Sequence, residues 1–333
     1  MKALVIHRYG SNDVAAIEHV PEPPLRPRDV LIEISAASVN PVDFKLRAGK
    51  LKAIRKFAFP LILGFDASGV VMRVGPEVTT FKPGDQVFAS LENTRPGAFA
   101  ERVAADAGVV AVKPATLDHE AAAALPLVGL TSWQALTEQA KVGPGHKVLI
   151  QAGAGGIGTL AIQLAKHLGA HVATTTSTRN IELVRSLGAD IVVDYTKQDF
   201  AQELKNYDVV FDTLGGDSEL RSFNVLKPGG TMVSIAGLPD AAWAKANRVS
   251  PPIVFALRLM TWRRTRAAQR HGITFKFLFK RCDGQQLAML AGLVDQGRLK
   301  PIIDEVYALD DAKAALAHVE SGRARGKVII KVR

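Results

Sequence analysis

The chain has 333 residues, enough for two domains with buried cores, and its 47% hydrophobic and 22% charged residues exclude a disordered or collagen-like class. One cysteine, Cys282, excludes an intrachain disulfide and any cysteine-built structural zinc lobe, and 42 basic against 32 acidic residues leave a net charge of +10. No apolar run is long enough to span a bilayer, and no charged-then-apolar leader precedes the strand-like start at residues 1–7, so a cytoplasmic location is expected.

To about Ala124 the pattern is β-rich. Residues 21–27 read as an extended, proline-rich loop and 82–85 as a turn, while 30–34, 68–74, 85–89 and 99–103 are predicted short strands. From Ala121 the character changes to alternation. Helices are predicted at 117–125 and 132–140, then a strand at 147–151, a helix at 157–168, a strand at 171–175, a helix at 181–187 and a strand at 191–194. Strands at 208–212 and 231–235 continue the series, which predicts a parallel, doubly wound sheet. Late helices are predicted at 285–296 and 311–319, with a closing strand at 327–332.

The most informative stretch is Gly153-Ala154-Gly155-Gly156-Ile157-Gly158, set between a predicted strand and a predicted helix. In that setting Gly153 permits a tight turn, Gly155 lets a pyrophosphate approach the backbone, and Gly158 lets the helix pack on the strand. Unpaired N–H groups at the helix start then suit phosphate, so the chain is expected to bind a dinucleotide rather than merely turn. The next strand ends in Thr174-Thr175-Thr176-Ser177-Thr178-Arg179-Asn180, and the first acid is Glu182. An NAD site places a carboxylate on the ribose there, whereas hydroxyls and a guanidinium suit a 2′-phosphate. NADPH is therefore expected, with Ser177 and Arg179 on the phosphate and Tyr195 near the adenosine; the bland alternative for Arg179 is a solvated helix-start residue. Gly215-Gly216 and Gly237 follow predicted strands, where small residues admit the nicotinamide ribose or simply serve a loop. The substrate is expected in the cleft beside the nucleotide-binding half.

Residues 245–281 hold ten Lys or Arg and no Asp or Glu, so the whole net charge sits in that span. The readings left open are a solvated face near an anionic cofactor and a surface for nucleic acid or membrane. Residues 251–262 read as an apolar lid, a dimer face or core packing, with Met260 and Trp262 at a spacing that suits packing.

Several stretches together resemble one family. They are Asn40-Pro41-Val42-Asp43-Phe44-Lys45, residues 64–71 and 82–87, Leu125-Pro126-Leu127-Val128-Gly129-Leu130-Thr131, the glycine turn, residues 183–190, and Gly326-Lys327-Val328. In this order they resemble the zinc-independent medium-chain dehydrogenase/reductases, which include quinone oxidoreductases and enone or alkenal reductases. The resemblance implies an α/β protein with a GroES-like β-rich catalytic domain (1–124), a Rossmann doubly wound parallel-sheet cofactor domain (125–280) and a return segment completing the first domain (281–333). It implies no catalytic metal, because Asn40 and Gly64-Phe65-Asp66 stand where zinc-dependent relatives carry Cys and Gly-His-Glu. By motif position Lys45, Thr131, Gly156, Ile157, Ser177, Asn180, Tyr195 and Lys327 would contact NADPH, and the run Phe277-Leu278-Phe279 would border the nicotinamide. Such relatives usually place Lys where this chain has Asn180, with Arg179 next door. The implied reaction is hydride transfer to a small hydrophobic electrophile, an α,β-unsaturated carbonyl or a quinone, in a homodimer. Asn40 and Lys45 are the expected catalytic groups, donors to the developing oxyanion, unless Asn40 merely stabilises its loop and Lys45 is a surface lysine.

Overall fold

The computed structural model describes residues 1–52, 56–246 and 248–333. The chain forms two compact units, Met1–Leu130 with Arg281–Arg333, and Thr131–Lys280.

The first unit opens with β1 (Lys2–Ile6), β2 (Ala15–His19), β3 (Asp29–Val39), α1 (Pro41–Arg47), β4 (Leu61–Ile62), β5 (Asp66–Val74), β6 (Gln86–Ser90), β7 (Arg102–Asp106) and β8 (Val110–Val112). Two helices follow, α2 (His119–Ala123) and α3 (Pro126–Trp133). The second unit runs β9 (Lys147–Ile150), α4 (Gly156–His167), β10 (His171–Thr176), α5 (Ile181–Ser186), β11 (Ile191–Asp194), α6 (Phe200–Glu203), β12 (Tyr207–Asp212), α7 (Gly216–Ser222) and β13 (Leu226–Ser234). It ends with α8 (Ala241–Ala246), α9 (Pro251–Met260), α10 (Trp262–Arg270) and β14 (Thr274–Phe277). The return segment adds α11 (Gly284–Asp295), β15 (Ile303–Ala308), α12 (Ala312–Glu320) and β16 (Lys327–Lys331) to the first unit.

In the first unit β15-β16-β3-β5-β6-β8 form one sheet, with β7 also on β3, and β2-β1-β4 form a second. Strand β3 is the spine. Its apolar Val30, Ile32, Ile34 and Ala37 are fully buried, and it pairs antiparallel with β5, β7 and β16. The pairing of β16 sets Val328 opposite Val39, so the last strand of the chain delivers Lys327 to the end of β3, beside Asn40. The β3–β5 ladder slips between Ile34 and Ala36, and Gly69 faces Ile34 at that bulge.

In the second unit all ladders are parallel and the order is β11-β10-β9-β12-β13-β14. The order reverses between β9 and β12, which makes the carboxyl ends there the ligand crevice of such a sheet. Helix α4 buries Leu160, Ala161, Ile162, Leu164 and Ala165, apolar at helical spacing, on the sheet.

The structure corrects three expectations. The strand expected at 99–103 begins only at Arg102; Phe99 is instead a fully buried loop residue whose carbonyl accepts from Leu4 and whose N–H donates to Leu63. The helix expected at 132–140 is α-helical only to Trp133, then loosens into a π-helical turn over Gln134–Gln139, with the Ala140 N–H on the Ala135 carbonyl. Residues 251–262 are not core: α9 buries only Leu257, while Met260 and Trp262 are 67% and 54% exposed.

A Cβ on Gly69 would stand 1.9 Å from the Glu33 carbonyl oxygen across the bulge. Gly69→Ala must push two paired strands apart, and we expect a loss of roughly 1–3 kcal/mol or more in denaturant unfolding. An unchanged midpoint would refute this account of the bulge.

Candidate functional site

The glycine turn lies between β9 and α4, tied to the end of β10 by the Gly153 N–H on the Thr175 carbonyl (2.9 Å) and the Ala152 N–H on Thr175 Oγ1 (3.1 Å). The left-handed residue of this turn is Ala152 (φ 51°), not Gly153. Gly153 is required by crowding, since a Cβ would lie 2.1 Å from Thr174 Oγ1, itself donating to the Ile150 carbonyl. At Gly158 a Cβ would meet the Ala152 oxygen at 2.3 Å, so α4 can cross the turn only through a glycine. Gly155 caps α4 and a Cβ there would touch only the Ala152 oxygen, at 3.3 Å. No side chain caps the first N–H groups of α4, which open with Gly156 and Ile157. That cradle of bare backbone donors fits a pyrophosphate.

Beyond β10, Ser177 is half-buried, Arg179 is exposed, and Asn180 is buried with its Nδ2 on Ser177 Oγ at 3.3 Å. Tyr195 is 60% exposed. The register adds a carboxylate that chain order hides. Thr176 pairs with Asp194, so Asp194 stands at the same edge as the hydroxyls. It accepts from Thr178 Oγ1 at 2.5 Å and from Thr196 Oγ1 at 2.7 Å, and these hydroxyls hold its carboxyl below the usual range. The signal was the parallel alignment of two strand ends, which spacing along the chain does not show.

Two further loops leave the sheet at this edge. Asp212, fully buried, accepts from the Leu214 and Gly215 N–H groups and from Ser234 Oγ at 2.6 Å, binding the loops after β12 and β13 together. Gly215 (φ 69°) and Gly237 (φ 75°) make the bends. Phe277 and Leu278 are buried, Phe279 is 40% exposed, and both phenylalanines pack on Trp243 with ring centroids about 6 Å apart. Behind these loops Arg264 donates to the Leu238 carbonyl at 2.8 Å, reaches Glu219 at 3.5 Å, and stacks 4.1 Å from the Phe275 ring. Burial, and then the Asp212 charge, push the Glu219 carboxyl up to about 7 against the pull of Arg264. Sequence reading missed this pair because Arg264 sits in a basic run that reads as surface.

The first unit holds a buried polar cluster. Lys327 Nζ donates to Asn40 Oδ1 (2.5 Å) and to the Val39 carbonyl (3.0 Å), and lies 3.8 Å from Asp66. Asn40 Nδ2 donates to Asp66 Oδ2 (2.9 Å) and the Ser38 carbonyl (3.3 Å). Asp66 also accepts from Ser38 Oγ and from the Leu127 N–H. The Asn40 N–H donates to Asp43, whose carboxyl is pushed up to about 8 by burial and by Asp66. Burial lowers the Lys327 pKa, with Asp66 and Asp43 opposing. Here the structure corrects the expectation for Asn40: both of its amide hydrogens are already committed, so it has no free donor to aim at a substrate oxygen. Lys45, by contrast, is accessible on α1, and the packing around it and the Lys50 charge lower its pKa. Thr131 is buried. Asp43 and Asp66 lie inside stretches the sequence singles out, but nothing in spacing marks them as a shared network with Lys327.

Among the described residues no group of three His, Cys, Asp or Glu is arranged to hold a metal ion. The donor chemistry at Asn40 does not fit zinc, since the cluster offers no thiolate or imidazole and its cation is Lys327.

Residues 26–115 match the model for the alcohol dehydrogenase GroES-like domain, and residues 187–330 match one described as a zinc-binding dehydrogenase. The chain is 34% identical to the mitochondrial NAD(P)H oxidoreductase RTN4IP1 of Danio rerio over all of this chain and 91% of that protein. It is 37% identical to the 2-methylene-furan-3-one reductase of Solanum lycopersicum over 99% of this chain and 79% of that one. Among solved structures, a quinone oxidoreductase from Coxiella burnetii superposes with a TM-score of 0.87 at 34% identity, covering 100% and 99% of the two chains. The protein is a two-unit oxidoreductase with a GroES-like catalytic domain and a Rossmann domain. It belongs to the medium-chain dehydrogenase/reductase family, in the branch of quinone and enone oxidoreductases.

Removing Lys327 with Lys327→Met leaves Asp66 buried without its cation, and we expect a loss of roughly 3–5 kcal/mol in equilibrium unfolding; a loss below about 1 kcal/mol would count against a buried ion pair. Glu219 titrates in the fold above its usual value of 4.5, so folding favours its protonated form. Its contribution is full below pH 4.5 and is lost as pH rises toward about 7. The Glu219→Gln variant should therefore show a flatter melting-temperature profile across that window than the unaltered protein, and parallel profiles would sink the assignment.

Proposed function

We propose that this protein reduces α,β-unsaturated carbonyls or quinones with NADPH, without zinc. The observation that carries the reading is the glycine cradle at α4 followed by Ser177, Arg179 and Asn180 at the end of β10, with the nearby Asp194 already occupied by two threonine hydroxyls. Gly153, Gly155, Gly156, Ile157 and Gly158 would hold the pyrophosphate on backbone donors, and Ser177 and Arg179 the 2′-phosphate, with Tyr195 over the adenosine. Gly237 and the Phe277–Phe279 run would border the nicotinamide, while Lys45, Thr131 and Lys327 complete the set of coenzyme contacts.

When bound, the reduced nicotinamide supplies the hydride. The substrate oxygen gains negative charge as it is reduced and needs a donor prepared for it. Lys45 takes that role here. Asn40 is a positioning residue that orients Lys327 and Asp66 rather than a donor to substrate. Trp243, Phe277 and Phe279 keep water from the reacting end. The protein works as a homodimer in a reducing compartment such as the cytoplasm, where Cys282 stays a thiol.

NADPH absorbance followed against a panel of enones, quinones and enoyl thioesters tests the reaction, and no consumption with any of them overturns it. Arg179→Ala should raise the KM for NADPH about 10- to 100-fold, the worth of one charge-assisted hydrogen bond, and leave that for NADH nearly unchanged. Equal effects on both coenzymes would remove Arg179 from the phosphate site.

A further inference from the structure

We propose that α9 and α10 form a docking face by which this protein attaches to the surface of an anionic lipid bilayer. The inference goes beyond the reductase reading and does not depend on it.

Helix α9 lies almost wholly outside the core. Only Leu257 is buried, while Ile253, Phe255, Leu259 and Met260 are 47–67% exposed. Trp262, at the start of α10, is 54% exposed. Phe255 and Leu259 are one helical turn apart and so share a face. Five large apolar side chains in ten residues of surface exceed the scattered exposure usual on a soluble protein. The same two helices carry Arg258, Arg263, Arg266 and Arg270, all exposed, and the Arg266 guanidinium stacks 5.3 Å from the Trp262 ring. Lys245 and Arg248 stand exposed just before them. No acidic residue lies between 245 and 281, so the six exposed cations Lys245, Arg248, Arg258, Arg263, Arg266 and Arg270 stand on or just before this apolar strip with no acid of the segment among them.

Charge decides the occupant. A second copy meeting this face about a two-fold axis would bring the same basic residues against themselves, with no carboxylate in the segment to relieve them. Nucleic acid would neutralise the arginines but leave the aliphatic side chains Ile253, Leu259 and Met260 without partners. A bilayer interface accepts both: anionic headgroups take the arginines, and the acyl boundary takes Phe255, Leu259 and Trp262. The attachment is peripheral, since no helix among the described residues is long and apolar enough to cross a membrane.

The test sediments the full-length protein, with NADPH present, with vesicles of phosphatidylcholine alone or mixed with phosphatidylglycerol. Binding to the mixed vesicles only, reversed by salt, is expected. An Arg258→Gln, Arg263→Gln, Arg270→Gln triple variant should lower the partition coefficient on the order of 100-fold, about tenfold or less per arginine. Phe255→Ser with Leu259→Ser should lower it independently. Both variants should oxidise NADPH in free solution as the unaltered protein does, which separates this face from the reductase reading. The proposal is overturned by absence of binding, by equal binding to both vesicle types, or by RNA binding without vesicle binding. It is equally overturned if the serine variant dissociates an oligomer or raises the substrate KM without vesicles, which would make the segment a dimer face or a lid.

Discussion

The buried ammonium of Lys327 is the constraint on which the first unit depends. It comes from the last strand of the chain and is satisfied by the end of β3, through the Val39 carbonyl and Asn40 Oδ1, within 3.8 Å of Asp66. A buried cation is tolerated only where hydrogen bonds and an opposite charge meet it together. The β16–β3 ladder places the lysine, and the Asn40 side chain, held by Asp66, receives it. The return segment is therefore an integral part of this unit, because without it Asp66 would be a buried carboxylate with no cation beside it and Asn40 Oδ1 would lose its donor. The same cluster has a chemistry unlike that of a zinc site: an internal amine supplies the positive charge, and the side chains around it are oxygen and amide groups already committed to one another.

The second unit solves a different problem, and solves it mainly with backbone. At Gly153 and Gly158 the missing Cβ is dictated by packing of the turn itself, 2.1 Å from Thr174 and 2.3 Å from Ala152. At Gly155 the turn is less crowded, and that is where approach from outside is possible. The loops after β12 and β13 are held from within by Asp212, and Arg264 holds the second of them from behind through Leu238. Coenzyme contacts made by main chain need such fixed loops, since backbone donors have no rotamers with which to correct an error.

Periodicity made the second unit legible because each strand there is a short apolar run closed by a turn and followed by an amphipathic helix. The predicted 171–175 strand differs from β10 by one residue at its end, and the predicted 157–168 helix from α4 by one residue at each end. The first unit was harder to read: Phe99 has the composition of a strand residue but is held as loop by bonds to Leu4 and Leu63, which lie far from it in sequence. The site was legible to the extent that its residues are contiguous. The glycine turn and the Ser177–Asn180 run stand out as local patterns. Asp194 against Thr178, Lys327 against Asn40, and Arg264 against Glu219 are created by pairing between distant segments, and no spacing announces them.

The distribution of charge follows from the same division of labour. With 32 basic and 32 acidic residues outside 245–281, the chain could be neutral throughout, yet the surplus gathers on one stretch. An anionic coenzyme does not require this, because under the proposed reading the phosphates would meet backbone N–H groups at the glycine turn and a single arginine at β10. Within the stretch Arg264 has been drawn into the interior of the unit, where Glu219, the Leu238 carbonyl and the Phe275 ring meet it, and Lys276 is half-buried with its ammonium on the Gln139 carbonyl. The arginines of α9 and α10 that stay outside stand instead beside exposed Phe255, Leu259 and Trp262. A surface kept only for solubility would separate those apolar groups or intersperse acids among the bases. Keeping them adjacent, with one sign of charge, is a composition that favours an interface both anionic and apolar.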